Sequence, residues 1–117
     1  MGTPLTLTVA EGAAFMNLID GKPAGAFSGA RIDVACPSDG KVFASIPASG
    51  AADVDLAVRS AYRAFHEGPW SRMPAVERGR CLTRLLHLVE KNGEELAALE
   101  SRDTGKPARQ GKADVTS

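Results

Sequence analysis

Lys41-Val42-Phe43-Ala44-Ser45-Ile46-Pro47-Ala48-Ser49-Gly50-Ala51-Ala52-Asp53-Val54-Asp55-Leu56-Ala57-Val58 is the stretch on which the fold turns. Its first part alternates, the period-two pattern of a half-buried strand, and Pro47, with no backbone N–H to give a ladder, stops it. The period then changes. Val54, Ala57, Val58, Ala61 and Phe65 recur at three- and four-residue intervals and share one face of a helix running from Ala51 to Glu67. Ser49 or Gly50 stands where a cap belongs, Asp53 and Asp55 suit the positive end of the helix dipole, and Gly68-Pro69 ends the helix.

Toward the N-terminus, Arg31-Ile32-Asp33-Val34 alternates in the same way, and Pro37-Ser38-Asp39-Gly40 makes a turn before Lys41. Two short strands joined by such a turn are expected to pair antiparallel. A further strand is expected over Phe15-Met16-Asn17-Leu18-Ile19, closed by Asp20-Gly21. Gly21, Gly25 and Gly29 then punctuate a bent connection, and residues 1–14 are expected to be a loose arm ahead of a single incomplete domain over 15–117.

Toward the C-terminus, a second helix is expected from Pro74 to Asn92, with Cys81, Leu82, Leu85, Leu86 and Val89 as its apolar stripe. Trp70, the one tryptophan, lies between the first two helices and is expected to anchor their crossing. A third helix, Glu94 to Asp103, buries Leu96 and Leu99 and closes at Thr104-Gly105-Lys106-Pro107, where glycine takes a left-handed stop and proline prevents continuation. From Ala108 to Ser117 the chain reads as the start of a fourth helix whose one bulky apolar contact is Val115. Such a short helix is unstable alone. The expectation is a chain severed within an element.

The 117 residues suffice for one ordinary core, and 44% hydrophobic with 24% charged residues is a globular composition. Zero formal net charge, with no run of Lys or Arg, leaves no electrostatic footprint for nucleic acid or an anionic membrane. No apolar run approaches the roughly 20 residues that cross a bilayer. The spacing of Gly21, Gly25 and Gly29 mimics a membrane dimer motif, but Lys22 and Pro23 remove that reading. Met1 to Thr6 fits the loose myristoylation pattern without the basic patch that makes a second membrane signal, and the N-terminus lacks the basic start and apolar stretch of a secretion signal. The expected compartment is the cytoplasm, in keeping with two widely spaced cysteines.

Chemistry is sparse. No glycine-rich phosphate loop is present, and Gly105-Lys106 is a helix stop. Cys36 needs a base to act as a nucleophile; His66 and His87 are distant in sequence, and a half-buried inert thiol is the plainer reading. Cys81 falls on the apolar stripe and is expected in the core. His66, at the end of the first helix, suits the negative dipole end, and His87 lies off the stripe, toward solvent. Glu94, Glu95 and Glu100 read as a solvated face, whereas Asp103 stands at a helix end before the glycine turn.

Ile19-Asp20-Gly21-Lys22, Pro37-Ser38-Asp39-Gly40-Lys41-Val42, Ala52 to Val58, Ala64-Phe65, Gly68-Pro69-Trp70, Glu77-Arg78-Gly79-Arg80 and Leu96 to Pro107, in this order, resemble the start of an NAD(P)-dependent aldehyde dehydrogenase. The resemblance covers roughly Phe15 to Ser117. It implies an α/β, aldehyde dehydrogenase-like fold of which only the leading part is present: a short antiparallel β-ribbon, three helices and the start of a fourth. It also implies a parent enzyme that oxidises an aldehyde to an acid with NAD or NADP through a thiohemiacetal and a thioester. The nucleophilic cysteine, the general-base glutamate, the oxyanion-hole asparagine and the nucleotide-binding lysine and glycines lie further along in family members. Neither Cys36 nor Cys81 matches that cysteine, so this stretch is expected to hold no catalytic or cofactor-binding residue and to bind no cofactor alone.

The implied partners are the remainder of an aldehyde dehydrogenase chain and further copies in a dimer or tetramer. One family site reaches this segment: a monovalent cation held by backbone carbonyls, which carries over to Val34 and Ala35, and by an aspartate, which carries over to Asp103. Hard cations suit such oxygens. Cys36 replaces the asparagine that usually precedes Pro37, a departure in the turn shaping that site, and Asp103 also reads as a plain turn residue. The competing functional reading is a stand-alone helical interaction module, or the product of a degenerate gene.

Overall fold

A computed structural model describes residues 11–117. Five short strands come first: β1 (Ala13–Ala14), β2 (Asn17–Ile19), β3 (Lys22–Ala24), β4 (Arg31–Ala35) and β5 (Val42–Pro47). Four helices follow: α1 (Ala51–Glu67), α2 (Ala75–Lys91), α3 (Gly93–Thr104) and α4 (Ala108–Thr116), with a single 3₁₀ turn over Trp70–Arg72 between α1 and α2.

The expected antiparallel ribbon is β4 against β5, in register from Arg31 opposite Pro47 to Ala35 opposite Val42, with a slip between Val34 and Ala35. Cys36 N–H donates to the Lys41 carbonyl and Gly40 N–H to the Cys36 carbonyl, closing the turn with Gly40 at φ 70°. β5 is central, because β1 pairs parallel with its other edge, Ala13 opposite Ala44. The end of the expected loose arm is therefore strand; residues 1–10 of that arm lie outside the described residues. The slip leaves Phe43 without a partner on β4, a bulge that interrupts the alternation, and the neighbours Phe43 and Ala44 are both buried and line one cavity, against the half-buried expectation.

β2 is shorter than expected and forms a separate hairpin with β3. Asp20 and Gly21, both at positive φ (54° and 72°), make the tight two-residue turn that matches strand twist. The first part of the bent connection is thus strand; Pro23 hides it, since a three-residue edge strand with proline shows no alternation.

α1 occupies the expected span, and of the two expected caps it is the second that stands there. Gly50 is the N-cap, and the buried Asp53, 5% exposed, does the capping: Oδ2 accepts the Gly50 N–H at 2.8 Å and Oδ1 the Phe27 N–H at 2.9 Å. Asp55, its expected companion, stays outside and pairs with Arg59. The stripes of α1 and α2 exist, yet the described residues leave most of their bulky side chains uncovered. Val54, Val58, Phe65, Leu82, Leu85 and Leu86 are each more than half exposed. Trp70, 46% exposed, does not seal a helix crossing.

α3 and α4 form the tightest helix pair. Gly105, at φ 76°, ends α3 with its N–H on the Ser101 carbonyl, as the glycine stop implies. Gly111 of α4 is buried so close to α3 that a Cβ there would sit 2.7 Å from Ser101 Oγ and 2.8 Å from the Ala97 carbonyl oxygen. Val115 is not the sole anchor of α4: backbone approach at Gly111 supplies a second.

Candidate functional site

Between the β4–β5 ribbon and the α3–α4 pair lies a solvent-open cavity of about 870 Å³. Its wall is largely apolar, with Val34, Phe43 and Ile46 on the sheet side and Leu96, Leu99 and Val115 on the helix side. The alternation of β4 and β5 brings Val34 and Ile46 to this side and the bulge adds Phe43, while α3 supplies Leu96 and Leu99 and α4 supplies Val115. Arg102 carries its guanidinium 4.5 Å from the Phe43 ring centre and pairs with Glu11, so α3 is clamped to the sheet by a cation over an aromatic face.

Glu100, Asp103, Lys106 and Asp114 also border this cavity. Lys106 Nζ donates to Asp114 Oδ2 and to Glu100 Oε1, both at 2.8 Å. Those two carboxylates, Asp114 first, hold the ammonium above the ordinary lysine range. Asp103 is exposed. It lines the same cavity as Val34, so two of the three expected cation ligands share one space; Ala35 lies at the register slip and is not on the cavity wall. Among the described residues no cluster of three or more His, Cys, Asp or Glu side chains is placed to hold a metal.

The other candidates stay apart. Cys36 is half-buried in the β4–β5 turn. His66 packs against Tyr62 at 4.1 Å between ring centres and meets Phe65 edge-on at 5.0 Å, while His87 Nδ1 lies 3.3 Å from Glu90. Neither histidine is hydrogen-bonded to a thiol among the described residues. Cys81 is not core as expected: it is half-exposed and accepts a hydrogen bond from Arg84 at 3.0 Å. It lies on a stripe that the described residues leave mostly uncovered.

The N-terminus of α1 does not fit a dinucleotide phosphate. α1 follows β5, as a phosphate-binding helix would, but its N-terminus carries one glycine, and Asp53 already occupies the Gly50 N–H with a carboxylate that repels phosphate. α2 and α4 start after Pro74 and Pro107.

Sequence reasoning missed the Lys106 pairings, the Phe43–Arg102 clamp and the role of Gly111. Lys106 reaches partners on both sides of the Gly105 break, where helical spacing no longer predicts which residues meet.

The sequence profile described as the aldehyde dehydrogenase family matches residues 26–117. The chain belongs to the aldehyde dehydrogenase family. It is 44% identical over 93 residues to the mitochondrial benzaldehyde dehydrogenase of Antirrhinum majus, covering 80% of this chain and 17% of that protein. Against aldehyde dehydrogenase family 2 member B4, mitochondrial, of Arabidopsis thaliana it is 45% identical, with the same coverage of 80% and 17%. Among solved structures, the NAD-dependent aldehyde dehydrogenase of Sinorhizobium meliloti superposes with a TM-score of 0.85 at 35% identity, over 98% of this chain and 23% of that one. Betaine aldehyde dehydrogenase of Staphylococcus aureus in complex with NAD+ gives a TM-score of 0.83 at 29% identity, over 86% and 20%. The chain thus spans about a fifth of the length of these aldehyde dehydrogenases, and the α/β fold with a short ribbon and four helices is that of their corresponding part.

Proposed function

We propose that this chain serves as the leading segment of an oxidoreductase that oxidises an aldehyde to a carboxylic acid with NAD(P). The segment's own contribution is to buttress the dinucleotide-binding domain; it touches neither aldehyde nor cofactor. One observation carries this reading: the apolar stripes of α1 and α2 are formed but largely uncovered by the described residues, Leu82, Leu85 and Leu86 among the exposed side chains. Continuous apolar faces of this kind mark surfaces that another protein surface covers. The remainder of an aldehyde dehydrogenase chain is the covering surface proposed, with further copies of the enzyme completing an oligomer. A cytoplasmic setting suits the two unpaired cysteines.

The test combines two preparations. The 117-residue chain, given NAD+ and benzaldehyde, is expected to form no NADH. Mixed with a family enzyme lacking its own leading segment, it is expected to bind and restore NADH formation. NADH production by the lone chain overturns the division of labour, and failure to associate overturns the buttress, leaving the stand-alone interaction module.

We also propose that Val34, Ala35 and Asp103 contribute oxygens to a monovalent-cation site. The register slip between Val34 and Ala35 supports this, because it disturbs carbonyls that the ladder otherwise occupies, as does the opening of Val34 and Asp103 onto one cavity. Potassium or sodium in place of a bulky organic cation is expected to raise the thermal midpoint of the complemented enzyme, and Asp103→Ala to abolish that gain. An unchanged response in the variant removes Asp103 from the site.

A further inference from the structure

α4 is the least self-sufficient element described. It has nine residues, below the length at which a helix holds in water, and its apolar contribution is Val115. Yet it forms one side of the cavity, through Asp114 and Val115. Backbone approach at Gly111 gives it a close fit on Ala97 but little apolar area. What fixes its far end lies in the loop that precedes it. Lys106 Nζ donates to Glu100 of α3 and to Asp114 of α4, so one ammonium bridges the two helices across the Gly105-Lys106-Pro107 connection.

We infer that Lys106 is a charge latch, a positioning residue that holds α4 against α3 and thereby closes one side of the cavity. All three side chains are only partly exposed, at 37–45%, where paired charges are screened less than at a fully open surface. The raised ammonium fits this, since the fold favours its charged form. A second lysine, Lys112, also bridges the helices by pairing with Glu94, but both side chains there are at least 60% exposed, and such pairs contribute little. The latch is thus the loop lysine rather than the helical one. Loss of its charge leaves Glu100 and Asp114 facing each other as like charges, which drives α4 away instead of merely loosening it.

Amide hydrogen exchange on the full 117-residue chain tests this. In Lys106→Gln, amides of residues 111–116 are expected to exchange about fivefold faster than in the wild type, with α1 amides unchanged. Lys106→Arg retains slow exchange, and Lys112→Gln has a smaller effect than Lys106→Gln. Raised salt applied to the wild-type chain is expected to speed α4 selectively, which gives an answer that needs no variant. Unchanged α4 exchange in Lys106→Gln, equal acceleration of α1 and α4, no rescue by arginine, an equal effect of Lys112→Gln, or indifference of α4 to salt each overturns the latch.

Discussion

Asp53 and Lys106 show how far single side chains depart from their sequence reading. Asp53 sits three residues into α1, where a carboxylate suits the dipole; its larger task is to accept the Gly50 and Phe27 amides from a buried position. Asp53→Ala strands both donors and is expected to cost about 2 kcal/mol, read as a lower urea midpoint, with Asp53→Asn costing less because one acceptor remains. The dipole role was legible from position along the helix. The tie to Phe27 was not, because a contact across 26 residues leaves no local spacing to read. For Lys106 the fold favours the protonated form, so its contribution is complete below the ordinary lysine range, about pH 10.4, and fades only in stronger alkali. The difference in helical circular dichroism between the wild type and Lys106→Gln is therefore expected to persist at about pH 10 and to shrink beyond it.

At the level of elements, two glycines within helices give opposite forecasts for one substitution. A Cβ at Gly79 in α2 meets nothing within 4 Å, so Gly79→Ala is expected to stabilise by about 1 kcal/mol through helix propensity. At Gly111 the same methyl would collide with Ser101 Oγ and the Ala97 carbonyl, and Gly111→Ala is expected to cost about 1–3 kcal/mol, with α4 lost first in a thermal melt followed by hydrogen exchange. The four helices were legible because each has period, a stop residue or both: Gly68-Pro69 after α1, Asn92-Gly93 after α2, Gly105 after α3. The strands were less so. β3 is three residues with a proline, and β1 is two alanines whose pairing with β5 no composition rule announces. Of the candidate site, Asp103 was readable from its helix-end position, while Phe43 under Arg102 arises from a sheet-to-helix approach that only the fold creates.

For the molecule as a whole, the uncovered stripes decide which substitutions matter where. Leu82→Gln and Leu85→Gln touch side chains already more than half in water, so the lone chain is expected to keep its stability within about 0.5 kcal/mol. Binding to the remainder of an aldehyde dehydrogenase is expected to weaken by about 1.5–3 kcal/mol for each, measured by titration calorimetry, because burial is withheld until that surface arrives. A substitution can thus be silent in one setting and severe in the other. Trp70 makes the difference visible. It is the chain's single indole, placed at the joint between those two stripes with nearly half its surface wet. Since indole emission shifts toward the blue as water leaves the ring, the chain carries its own optical gauge of whether its greasy side has been covered.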